Sequence, residues 1–149
     1  MSKFRRVLAA GALIAGLGLL ASGAPAQAAP DGKLYAWEHA YFKGAYCTWE
    51  YDHMDWRYVE WIAPVHRGTC SWWYSGMDSD FNDQASSLWN NGYGGSQEDV
   101  RLFRDINYRG PSICLRNGES WADLSLGYER FSDGSYVNDQ ISSHYWTNC

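Results

Sequence analysis

"FNDQASS" at residues 81–87 and "VNDQISS" at residues 137–143 write Asn-Asp-Gln-x-Ser-Ser twice in one short chain. The echo extends upstream. "WEHAYFKG" at 37–44 and "FRDINYRG" at 103–110 each hold an aromatic, a second aromatic five residues on, and a glycine two residues beyond it; a cysteine follows each block. Self-similarity in the same order across a long period marks a duplicated supersecondary unit. The copies are unequal. The aromatic blocks are 66 positions apart and the Asn-Asp-Gln motifs 56, so the first half carries about ten extra residues, expected within "DHMDWRYVEWIAPVHRGTCSWWYSGMD" at 52–78.

Between these landmarks the pattern is that of short strands. "KLYAWEHA", "GAYCTWEYD", "DVRLFRD" and "PSICLRN" are aromatic or β-branched and bounded by Gly, Asn or Asp. Past the first 28 residues no stretch keeps a helical apolar period for three turns. The expectation is an all-β sandwich with hairpins and longer return loops. "NNGYGGSQED" at 90–99 has the glycines of a connector and falls midway, joining a first half at about 33–90 to a second at about 98–149.

The chain opens on a basic leader, an apolar run and the triplet Ala26-Gln27-Ala28, the layout of a secretory signal peptide cut after Ala28. The expected product is a secreted domain of residues 29–149 with no membrane anchor, and a monomer. Three of the twelve basic residues lie in the leader; nine then face seventeen acidic ones, a net charge near −8. That balance argues against a nucleic-acid partner and favours cations. Cys47, Cys70, Cys114 and Cys149 all lie in the exported part, and an even count in an oxidising compartment reads as two disulfides. Three connectivities are possible. The favoured one joins Cys47 to Cys70 and Cys114 to Cys149, one staple per half. No zinc spacing is present.

Aromatic-x-x-x-x-aromatic-x-Gly followed by Asn-Asp-x-x-Ser-Ser, given twice, resembles a microbial βγ-crystallin domain of two Greek keys. With the leader, "SWADLSL" and the cysteines, the chain is similar to the actinobacterial peptidase-inhibitor family related to the Streptomyces metalloproteinase inhibitor, over residues 34–146. The resemblance implies a βγ-crystallin-like, disulfide-stapled sandwich of two Greek-key motifs, two calcium ions, and a secreted protease as partner.

The motif has its own chemistry. Calcium takes six to eight oxygen ligands in flexible geometry, and the six residues offer carboxylate, amide carbonyl, hydroxyl and backbone oxygens. What the resemblance implies, residue by residue, is carboxylates from Asp83 and Asp139, backbone carbonyls from Gln84 and Gln140, and hydroxyls from Ser86 and Ser142. Each ion is then shared between the motifs, with one more carbonyl from the facing hairpin at Glu38 or Arg104. Asn82 and Asn138 serve as ligands or loop organisers, and Ser87 and Ser143 close the loops. The alternative is a turn without metal, since Asn, Asp and Ser also bond to neighbouring backbone.

Nine tryptophans remain. Trp37, Phe42, Phe103 and Tyr108 fall in the hairpin signature and are expected to pack there. Trp56, Trp61, Trp72 and Trp73 lie in the extra stretch of the first half and are the expected partner-binding surface. The scattered histidines form no His-Glu-x-x-His helix, and no Gly-x-Ser-x-Gly elbow occurs, so no enzyme is expected. Three roles follow: a calcium-binding peptidase inhibitor first, then a killer-toxin-like antimicrobial protein, then a calcium-stabilised extracellular structural protein.

Overall fold

The computed structural model describes residues 29–60, 68–71 and 80–149. Among the described residues eight strands run β1 (Lys33–His39), β2 (Lys43–Trp49), β3 (Gly68–Cys70), β4 (Ser87–Asn91), β5 (Asp99–Asp105), β6 (Arg109–Leu115), β7 (Ser120–Trp121) and β8 (Ser143–Thr147). They form two antiparallel sheets, ordered β3-β2-β1-β4-β7 and β6-β5-β8. The run β3-β2-β1-β4 is a Greek key, the fourth strand returning beside the first. In the second half the third strand, β7, leaves its own sheet and pairs with β4 of the first. The first half answers with an exchange of its own: His53 forms a backbone bridge to His144 on β8, each N–H donating to the other's carbonyl at 2.9 Å. The halves are thus interlocked through both sheets, in the all-β, crystallin-like sandwich expected.

Both hairpins turn the corner in the same way. Tyr41 and Phe42 in one, Asn107 and Tyr108 in the other, hold φ near +60°, followed by Gly44 at +79° and Gly110 at +74°. At φ +74° a side chain on Gly110 would be strained, and its Cβ would also push the Asp105 carboxylate aside. The signature aromatics pack across each corner, Trp37 edge-on to Phe42 at 5.1 Å and Phe103 edge-on to Tyr108 at 6.2 Å. Each corner also forces a bulge, in β1 between Trp37 and His39 and in β5 between Phe103 and Asp105. A bulge leaves one residue out of the ladder; here those residues are Glu38 and Arg104.

The inward faces, including Leu34, Leu88, Leu102 and Leu115, meet in one core with Phe81, Val137 and Ile141. Trp49 stacks on Trp56 at 4.4 Å within it. Trp56 therefore departs from expectation. It is fully buried on a 3₁₀ turn at Trp56–Tyr58, its indole N–H donating to His144 Nδ1 at 2.9 Å, and it presents no ring to a partner. The dense aromatic run puts this tryptophan inward because β8 supplies a polar acceptor for its N–H. Trp61, Trp72 and Trp73, like the leader at 1–28, lie outside the described residues. Among the described residues no helix is long and apolar enough to cross a membrane.

The disulfides are Cys47–Cys70, joining β2 to β3 at a directly opposed pair, and Cys114–Cys149, tying the C-terminus to β6. The strand β3 belongs to the extra stretch of the first half, so its staple fixes the insertion to the sheet. The second disulfide closes a separation of 35 residues, and losing it costs roughly 4 kcal/mol in the chain-entropy model.

His144 sits fully buried beside His53, and burial first, then the His53 charge, push its pKa well below the ordinary histidine range. Its Nδ1 accepts from Trp56, and its Nε2 lies 3.1 Å from the Tyr51 carbonyl, which selects the neutral Nε2–H form. A proton on Nδ1 would face a donor. The unfolded chain binds that proton below about pH 6.5 and the fold does not. Stability is therefore complete above this value and is expected to fall as pH drops from 6.5 to 5, a slope that urea denaturation at successive pH values reads directly. A flat profile would contradict the assignment.

Candidate metal centre

The two Asn-Asp-Gln loops repeat one conformation and finish each other. Asp83 and Asp139 take φ of +56° and +52°, a left-handed turn that Asp tolerates better than most residues. The backbones cross: Asp83 N–H donates to the Ile141 carbonyl and Asp139 N–H to the Ala85 carbonyl, both at 3.1 Å. Ser86 and Ser142 N–H groups donate to Trp37 and Phe103 carbonyls at 2.9 Å, which hangs each loop on the hairpin of its own half just before the bulge. Ser87 and Ser143 lock the same junction. Their hydroxyls donate to the His39 and Asp105 carbonyls at 2.7 and 2.6 Å, and accept from the Phe42 and Tyr108 N–H groups at 3.1 Å.

Side chains cross as the backbones do. The Ser142 hydroxyl donates to Asp83 at 3.2 Å, and the Ser86 hydroxyl to Asp139 at 3.0 Å. Two oxygens held about 2.4 Å from one calcium sit roughly 3 Å apart when they are neighbours in its shell. The Ser–Asp spacings fit that shell. Asn82, Asp83, Arg104, Gln140 and Ser142 line one hollow with Arg57, Asp105 and Ile106, so a donor from the second hairpin, two from the second motif and two from the first are brought together. The counterpart pairs Asp139 with Ser86. Glu38, at the matching bulge, is one residue beyond the Trp37 carbonyl that holds Ser86.

The asparagines carry the most telling feature. The amide nitrogens of Asn82 and Asn138 donate to the carboxylates of Asp83 and Asp139 at 2.6 and 2.7 Å. Their carbonyl oxygens, Oδ1 in both, are buried with no hydrogen-bond partner. A buried acceptor left unpaired costs about 1–3 kcal/mol, and this one is left twice, at equivalent places. The side-chain nitrogens of Gln84 and Gln140 are engaged with the Asp80 and Asp139 carbonyls at 2.8 and 2.7 Å. The donor set is oxygen alone, as a hard cation requires, and the residues fit calcium. A separate grouping of Asp99 with Cys114 and Cys149 offers no such chemistry, because both sulfurs are spent in a disulfide.

The Asp83 corner is crowded with charge. Burial raises the Asp83 pKa above the ordinary carboxylate value; the Ser142 hydrogen bond opposes that, and the neighbouring Asp80 and Asp105 charges add to it. Arg57 reaches the same hollow from the 3₁₀ turn, but its guanidinium is held by Asp55 at 2.6 Å and 2.9 Å. Arg104 also lines the hollow, and its side chain is paired with Asp105 and Asp133, 3.4 and 3.2 Å away. Asp80, Asp105 and Arg57 are not in the sequence-derived ligand set. Asp105 adjoins Arg104 and Asp80 stands two residues before Asn82; nothing in the pattern marks Arg57.

The family model for peptidase inhibitor family I36 matches residues 22–115. A solved structure named for the evolution of the eye lens βγ-crystallin domain fold is 19% identical, with 79% of this chain and 87% of that one covered and a TM-score of 0.49. A βγ-crystallin from Ciona intestinalis is 20% identical over 78% of this chain and 100% of its own, with a TM-score of 0.48. Spherulin 3a from Physarum polycephalum is 23% identical over 86% and 90%, with a TM-score of 0.44. No curated protein matches the chain.

Because the Asp83 pKa is raised in the fold, its ionised form opposes folding: the stability is intact below the unfolded value near 3.9 and is lost as pH rises from there through the raised folded value. At pH 7 in chelator, Asp83→Asn is expected to melt at a higher temperature than the parent. A lower melting temperature there would mean that the carboxylate is a structural cap.

Proposed function

The chain belongs to peptidase inhibitor family I36, and on that footing we propose that it is an exported peptidase inhibitor whose two-key domain is locked by two calcium ions. The family match, over more than half of the chain, is the observation that carries the inhibitor reading. The partner is then a secreted protease, with metalloproteases first in line, and the chain acts by occupying a cleft and carries out no chemistry of its own. Export agrees with the basic leader, the apolar run and the Ala-Gln-Ala triplet, and with two disulfides.

The calcium reading is supported by the crossed Ser–Asp pairs and the two orphaned asparagine oxygens. In one site Asp83, Ser142, the Gln140 and Arg104 carbonyls and Asn82 would hold the ion; in the other, Asp139, Ser86, the Gln84 and Glu38 carbonyls and Asn138. A bound divalent cation supplies charge to a pair of acidic corners and does nothing catalytic. What the residues do is fix geometry. Each ion would bridge motif to motif, so the hairpins, and the loops that spring from them, would be ordered before any partner arrives, and ordering done in advance is not subtracted from binding. One carboxylate per motif suits the weaker affinities of extracellular calcium modules.

Calcium at 100 times its dissociation constant adds about 2.7 kcal/mol to a fold that alone binds it. A rise in melting temperature is therefore expected on adding calcium to chelator-treated protein, and the double variant Asp83→Ala, Asp139→Ala should show none. An undiminished rise would place the ions elsewhere. For inhibition, the purified chain is titrated against secreted metallo- and serine peptidases with and without calcium; loss of hydrolysis, tighter with calcium, is expected, and full activity of every peptidase would refute the inhibitor reading.

A further inference from the structure

In the second half, the loop between Leu124 and Phe131 is fastened at every joint and still turns its large apolar side chains outward. Leu124 and Phe131 anchor its ends in the core, at 0% and 2% exposure. Between them Leu126 is 58% exposed and Tyr128 81%. A 3₁₀ turn at Leu124–Leu126 starts the loop, capped by Asp123, which accepts from the Ser125 N–H at 3.0 Å. Gly127 ends the turn at φ +70°, its N–H donating to the Leu124 carbonyl at 3.1 Å. A Cβ there would lie 2.6 Å from the Tyr136 ring, so that ring rests directly on the loop backbone.

Arg130 is the clamp. Its Nε donates to the Gly127 carbonyl at 2.8 Å, its guanidinium lies 3.4 Å above the Tyr136 ring, and its backbone bridges that of Tyr136. The tip beyond is bound to β6, where Ser132 N–H donates to the Ser112 carbonyl at 2.9 Å and Ser112 N–H to the Ser132 hydroxyl at 3.2 Å. A slack loop would fold Leu126 and Tyr128 down onto the surface, because burying apolar area is favourable. The clamp denies them that. A tyrosine held this way gives a large contact area with little rotamer entropy left to lose.

We propose that residues 125–130 are the surface this chain inserts into its target, with Leu126 and Tyr128 filling apolar pockets of a peptidase cleft and Arg130 as the positioning residue that holds the loop in shape. The assignment rests on the inhibitor reading above. A cleft is concave and accepts a narrow, convex segment. The other aromatic surface, where Tyr35, Trp37, Tyr46 and Trp89 pack ring against ring across β2, β1 and β4, is a broad sheet face. The loop would also resist turnover: with the Leu124 and Gly127 carbonyls bonded within it, drawing the backbone into the extended form that cleavage needs breaks both bonds first.

Inhibition constants are measured for the purified full-length domain against a panel of secreted metallo- and serine peptidases, with the parent, Leu126→Ala/Tyr128→Ala, Arg130→Ala and the control Tyr93→Ala, another exposed tyrosine, on the connector. Loss of two anchor side chains should raise the constant at least about 100-fold without shifting the melting temperature, because both are exposed, and Tyr93→Ala should leave it unchanged. Arg130→Ala should weaken inhibition by about tenfold and turn the loop into a substrate, with mass spectrometry finding cuts between residues 125 and 130. If the parent inhibits while the double variant stays within about threefold of it, the surface is elsewhere and the inhibitor reading stands. If the parent inhibits no peptidase, both fall together.

Discussion

Each half of this protein completes the other at one place: the serine of one Asn-Asp-Gln motif meets the aspartate of the other, and the same is true in reverse. That reciprocity constrains everything around it. It requires the two loops to lie side by side, which requires each to hang from its hairpin by a backbone bond at Ser86 and Ser142, which in turn requires the folded corner with its left-handed aromatics and glycine. Neither half can present its acidic corner correctly alone. The duplicated sequence is therefore one cooperative unit, and the exchanges of β7 and of His53 into the opposite sheets bind the halves a second time.

The arrangement places charge where hydrophobic packing cannot compensate it. Asp80, Asp83 and Asp105 crowd one corner, and two asparagine oxygens are buried without partners. A fold that only needed a turn would not keep such features twice. A divalent cation would offset the charge and satisfy the oxygens together, whereas the two guanidinium groups that reach the hollow are already engaged, Arg57 with Asp55 and Arg104 with Asp105 and Asp133. The disulfides act on different ground, the insertion strand and the C-terminus. On the calcium reading, stapling and ion binding would brace separate parts of one scaffold, and a braced scaffold is what an inhibitor loop needs in order to be rigid on arrival.

Much of this was legible in the residues. The repeat gave the two halves, the glycines and aromatics gave the corners, and the family resemblance implied a donor set of which five members line one hollow. The cysteine pairing came from one staple per half and is the pairing found. What stayed hidden depends on contacts between distant segments. Trp56 reads as surface in a crowded aromatic run, and only the acceptor on His144, 88 residues away, takes it inside. Arg57 enters the hollow from a 3₁₀ turn with no motif to announce it. The Leu126–Tyr128 loop looks like ordinary coil until the stack of Arg130 on Tyr136 is seen, because a cation over a ring six residues on has no sequence period.

The central claim is that the crossed corners are paired calcium sites. Isothermal calorimetry of calcium into chelator-treated, refolded protein tests it most directly. Two ions bound per chain, falling to none when both motif aspartates are replaced by asparagine, is the outcome the account requires. A titration without heat, repeated at two temperatures so that a zero enthalpy does not mask binding, would contradict it.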